Sequence, residues 1–127
     1  MKLLLNTHIF LWLSQQPERI PAPLAIALQA NFLELHLSVV SIWEIRTKMR
    51  KGKLALADPL EALVRLVVEP DARMLPLTYS HVLHELPDPP VTIDPYDRLL
   101  LGQCDVEGLA LITVDSELMD HRLAYKP

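Results

Sequence analysis

Four short apolar runs, set between segments that carry helix-end signals, limit what this chain can fold into. Lys2 to Leu5, Leu35 to Val39, Met74 to Leu77 and Leu109 to Thr113 are each about the length of a buried strand and too short for a packed helix. Between them lie apolar-periodic segments with recognisable ends. Asn6 to about Ser14 opens on Asn-Thr-His, and a second helix follows Pro17, Pro21 and Pro23 to about Asn31. Ser41 to Arg50 ends at Gly52 with cations in its last turn. Asp58-Pro59 and Asp94-Pro95 pair a cap with a proline at the first helical position, predicting helices to about Val68 and Val106. Thr78 to Leu86 reads as a shorter helix, Pro87 to Pro90 as loop, and Gly108 as a helix stop. Asp115 starts a last short helix, and Leu123 to Tyr125 reads as an edge strand. Strands alternating with helices predict an α/β fold: a mostly parallel sheet of four to five strands with helices on both faces.

With 127 residues and no linker, repeat or low-complexity tract, one domain over 1–127 is expected. Half the residues are hydrophobic, which excludes a disordered chain. The single Cys104 cannot pair internally and reads as a buried small hydrophobe; a reducing, cytoplasmic location follows as the default. No apolar run approaches the roughly 18 residues of a membrane span. The MKLLLNTHIFLWL start is interrupted by Asn6-Thr7-His8 and lacks a small-residue cleavage site, so it is not read as a signal peptide. A net charge of -4 speaks against a general nucleic-acid coat, but not against an enzyme whose carboxylates hold cations.

The acidic residues fall at informative positions. Asn6 directly follows the first strand, Asp115 lies just past the fourth, and Glu44 and Asp97 each stand three residues into a helix. In an open parallel sheet these positions share the edge where ligands bind. Each also has a local explanation. Ser41-Ile42-Trp43-Glu44 matches a capping box, Asp97 favours a helix dipole, and Asn6 and Asp115 are good N-caps. Together, though, several carboxylates on one edge repel unless a cation sits between them. An oxygen-only set suits Mg²⁺ or Mn²⁺, which stabilise charge on a phosphodiester and activate water.

These residues carry a family resemblance that spans nearly the whole chain. LLLNTHIFLW (3–12), SVVSIWEI (38–45), DPYDRLLLGQC (94–104) and GLALITVDSEL (108–118) resemble the PIN-domain ribonucleases of the VapC type. The resemblance implies a metal-dependent endoribonuclease toxin, restrained by a small VapB-like antitoxin and commonly a homodimer. Carried over position by position, its acidic quartet is Asn6, Glu44, Asp97 and Asp115, holding Mg²⁺ or Mn²⁺ as catalytic metal ligands. On that reading Glu44 and Asp97 contact the metal and Asp115 is a ligand or a water-orienting base. Thr113 and Ser41 supply supporting hydrogen bonds, and Asp94 serves as a cap.

One departure matters. The family's first acid is an aspartate, and here it is Asn6. The resemblance then implies an impaired nuclease, or alternatively an inactive PIN-fold module that binds antitoxin or RNA without cutting. The Asn6 amide is expected to donate to Asp97 or Asp115. Thr92-Ile93 also departs from many relatives, which carry a histidine and a basic residue there.

Other residues carry weaker signals. The cations Arg46, Lys48, Arg50, Lys51 and Lys53 suit either phosphate contact or a solvated helix end. His81 and His84 lie one turn apart with no carboxylate partner evident, and His8 suits either the site or packing beside Trp12. Trp12 and Trp43 read as core or subunit-contact residues.

Overall fold

A computed structural model describes residues 1–69 and 72–127. Its sheet contains β1 (Leu3–Leu5), β2 (Leu35–Ser38), β3 (Ala72–Leu75) and β4 (Ala110–Ile112), in the order β3-β2-β1-β4 with every pairing parallel. Six α-helices are described: α1 (Thr7–Gln15), α2 (Ala22–Ala30), α3 (Val39–Arg50), α4 (Leu60–Val68), α5 (Tyr79–Leu83) and α6 (Pro95–Glu107). The α/β fold is the expected one, with helices on both faces of the sheet.

The strand period of two explains those two faces. Leu3 and Leu5 pack with Ile9 and Phe10 of α1, Leu24 and Leu28 of α2, and Leu63 and Val67 of α4. Leu4, between them, points the other way, to Leu111 and to Leu100, Leu101 and Cys104 of α6. Helix α3 serves both layers, with Ile45 in the first and Val40 in the second. Burial of Cys104 pushes its thiol pKa up, so the residue acts as a core hydrophobe rather than a thiolate.

Local signals place several ends correctly. Asp94 caps α6 by accepting from the Tyr96 and Asp97 amides, and Gly108 ends that helix at φ 71°. Gly52 has the same positive φ in the turn after α3, a left-handed conformation that glycine adopts without strain.

Other ends differ from the sequence expectation. Helix α3 starts at Val39, because Ser38 rather than Ser41 is its cap and accepts from the Val40 amide. No capping box involving Glu44 forms; Glu44 is the sixth residue of the helix. Pro59, not Asp58, takes the cap position of α4. Strand β3 lies two residues earlier than expected, where Ala72 to Leu75 align with Leu35 to Ser38. Asp115 opens a hydrogen-bonded turn instead of a helix, with its carboxylate accepting from the Glu117 amide. The Leu123 to Tyr125 segment makes one bridge, Leu111 to Ala124, rather than a strand. Among the described residues no helix is long and apolar enough to cross a membrane.

Candidate functional site

The strand order dictates where a site can form. The chain runs outward from β1 through β2 to β3, then returns to place β4 on the other side of β1. At such a reversal the connections leave in opposite directions and open a crevice at the C-terminal strand ends. The Asn6 backbone N–H donates to the Ile112 carbonyl at 3.0 Å, extending the pairing of β1 with β4 to the edge of that crevice. Asn6 thus stands beside the segment that leads into Asp115.

A cavity of about 410 Å³ opens there, and Asn6, Glu44, Asp97 and Asp115 all line it. The four expected residues are brought together. Asp94 lines the same cavity, so it adds charge to the site as well as capping α6. Thr7, His8, Lys48 and Lys53 also line it. His8 meets both of its expectations, because its ring also lies 6.0 Å from that of Trp12. A larger groove of about 650 Å³, between α1, α2 and α4, is lined by no ionisable side chain and offers no comparable chemistry.

Glu44 is buried and firmly held. Its Oε1 accepts from the Thr7 hydroxyl at 2.6 Å, and its Oε2 from Lys48 Nζ at 2.6 Å. The Thr7 and Ser41 hydroxyls are 3.0 Å apart. Thr7 has one proton, and Glu44 takes it, so the Ser41 hydroxyl donates to Thr7 in turn. Ser41 therefore supports Glu44 at one remove. Thr113 plays the corresponding part for Asp115, its hydroxyl accepting from the Asp115 amide at 3.0 Å.

Asp97 carries the electrostatic strain. Burial raises its pKa first, and the nearby Asp94, Glu44 and Asp115 raise it further, to about 7, against the opposing pull of Lys48. Asn6 relieves none of this through the expected amide donation. Its Oδ1 instead accepts from the His8 amide at 3.3 Å, capping α1, and no bond from its NH₂ to Asp97 or Asp115 forms.

The donor set fits a hard divalent cation by type: one amide oxygen, three carboxylates, and a surplus of negative charge. The carboxylates do not converge on one point. Among the described residues no three His, Cys, Asp or Glu side chains form a ready metal cluster. An ion that keeps its waters and shares a substrate phosphate suits such an open arrangement better than one needing an all-protein cage.

A PIN domain profile matches residues 3–122. The chain belongs to the PIN domain family. Ribonuclease VapC22 of Mycobacterium tuberculosis is 27% identical to it over 120 residues, covering 94% of this chain and 91% of that protein. The fold of this PIN domain also matches the crystal structure of DNA-bound VapBC from Salmonella typhimurium. That match has a TM-score of 0.65 and 17% identity, over 98% of this chain and 95% of that one.

Thr7 is the polar site residue that sequence reasoning did not single out, and the bond from Lys48 to Glu44 was not foreseen either. Thr7 had a usable signal, since it adjoins Asn6 at the end of β1. The basic run divides in space: Lys48 and Lys53 line the cavity, whereas Arg46 and Arg50 flank Trp43 in a separate groove. Trp43 is 56% exposed and so is not a core residue; Arg50 lies over its ring. His81 and His84, expected to lack acidic partners, each have one. His81 bonds Glu107 and His84 bonds Asp105, both at 2.7 Å, joining α5 and the residue after it to α6, away from the cavity.

Proposed function

We propose that this chain is a VapC-type toxin, an endoribonuclease scaffold that hydrolyses RNA phosphodiester bonds with Mg²⁺ or Mn²⁺ and is neutralised by a small VapB-like antitoxin. Membership of the PIN domain family and similarity to ribonuclease VapC22 support the reaction class, and the fold match to VapBC supports the partner. The observation that carries the assignment to this site is convergence. Asn6, Glu44, Asp97 and Asp115 come from four separate segments into one cavity at the sheet's C-terminal edge.

In this reading Glu44 and Asp97 are the principal metal ligands, and Asp115 is a further ligand or the base that orients water. A bound Mg²⁺ or Mn²⁺ would stabilise charge developing on the phosphodiester and lower the pKa of water. Thr7 holds Glu44 in place, and Lys48 and Lys53 supply positive charge where an RNA backbone would enter. Asn6 weakens the site because a neutral amide replaces a charged ligand. The chain with Asn6 is therefore proposed to be impaired. The same missing charge also favours a second reading, an inactive PIN-fold module that binds antitoxin or RNA without cutting.

The deciding experiment compares the chain with its Asn6→Asp variant on a panel of structured RNAs, with Mg²⁺ and with Mn²⁺. The nuclease reading expects metal-stimulated cleavage to rise in the variant. A variant that binds Mn²⁺ no better and cleaves nothing removes that reading. A homodimer is proposed on the exposed apolar surface that includes Val39 and Trp43, and size-exclusion chromatography with light scattering tests it.

A further inference from the structure

Both carboxylate oxygens of Glu44 are already engaged, and the two partners differ in how readily they can leave. Thr7 is buried in the first turn of α1, and its short, β-branched side chain leaves its hydroxyl less free to move from Oε1. Lys48 holds Oε2 from one turn along α3, on a flexible stem whose side chain is 40% exposed. An ordinary pair at this spacing has two solvated ends. Here the Glu44 side chain is only 6% exposed, and Lys48 lines the cavity beside it. Burial opposes the charge on Lys48, but the bond to Glu44 and the nearby Asp94 and Asp97 carboxylates outweigh it. Those are the groups a divalent ion would also meet.

We propose that Lys48 is a built-in counter-cation of this site: its ammonium occupies the position on Glu44 Oε2 that a divalent ion must take, and the ion binds only as Lys48 swings away. The inference rests on the metal-site reading above and adds a control to it. A bound ion and an ammonium on the same oxygen repel strongly. An RNA phosphate gives the displaced ammonium a new partner, so phosphate and metal bind cooperatively, each raising the other's affinity by the same factor. Without RNA the site holds its own cation and binds the metal less tightly.

The test is Mn²⁺ binding to the full chain by isothermal titration, for the parent, Lys48→Met, Lys48→Gln and Lys48→Arg. Thermal unfolding with and without Mn²⁺ provides a second reading and confirms folding. The proposal expects about tenfold tighter binding in the Met and Gln variants, with Lys48→Arg close to the parent. If Met and Gln bind equally or more weakly, while Glu44→Gln abolishes the binding seen in the parent, the lysine role is overturned and the metal site stands. If neither the parent nor any variant, Asn6→Asp included, binds Mn²⁺, the metal reading fails and this inference fails with it.

Discussion

Thr7 Oγ1 lies 2.6 Å from Glu44 Oε1, a hydrogen bond that ties the first turn of α1 to the middle of α3. Both residues are buried, so losing the bond leaves polar groups poorly solvated. Thr7→Val keeps the shape and removes the only proton Thr7 offers. The Ser41 hydroxyl then loses its acceptor and Glu44 loses a donor. The expected cost is about 2 kcal/mol of stability, measured by urea denaturation, with Thr7→Ser recovering most of it.

Asn6→Asp should leave the α1 cap intact, because a carboxylate also accepts from the His8 amide. It adds charge beside Glu44, Asp94, Asp97 and Asp115. The metal-free variant is expected to be less stable than the parent by about 1 kcal/mol at neutral pH, and Mn²⁺ should restore it. Asn6→Ala separates the causes: it loses the cap, gains no charge, and should show no recovery with Mn²⁺.

The Asp97 carboxyl makes stability depend on pH in a defined direction. Its pKa is about 7 in the folded chain, mainly from burial and then from neighbouring carboxylates, against an ordinary value of 3.8. Between those values the folded state holds a proton that the unfolded state has released, so stability falls as pH rises. The loss is complete once pH passes about 7. Urea denaturation from pH 4 to 8 should show this decline without metal, and Asp97→Asn should flatten it.

His81 is the other buried polar anchor. Its Nδ1 accepts from the Thr78 amide at 3.0 Å, so Nε2 carries the proton and donates to Glu107 at 2.7 Å. One ring thus caps α5 and ties it to α6. His81→Ala should cost roughly 3 kcal/mol, from the cavity and the unpaired amide together. Glu107→Gln should cost less than about 1 kcal/mol, since that side chain is partly exposed and an amide oxygen still accepts. Equal costs would show that the cap contributes little.

Much of the site was legible as position. Asn6 after a strand, Asp97 after the Asp94-Pro95 cap, and Asp115 past another strand all reach the expected edge. Glu44 reaches it too, although the local reason proposed for it failed. Ser-x-x-Glu also describes residues inside a helix, and whether Ser38 or Ser41 caps α3 depends on where β2 ends against its neighbours. Strand β3 was misplaced for a related reason, since its register is set by pairing with β2 rather than by its own residues.

The sequence by itself determined the alternation of strands and helices, the faces that bury leucine, the helix start at Asp94-Pro95 and the stop at Gly108. Those features depend on backbone preference and apolar period, which act over a few residues. Tertiary structure alone decided the distant partners: the Asn6 backbone N–H on the Ile112 carbonyl, Thr7 on Glu44, and His81 on Glu107. Parallel strands meet only through long crossovers, so their order is a global choice. A side-chain donor then bonds whichever acceptor that packing brings within reach.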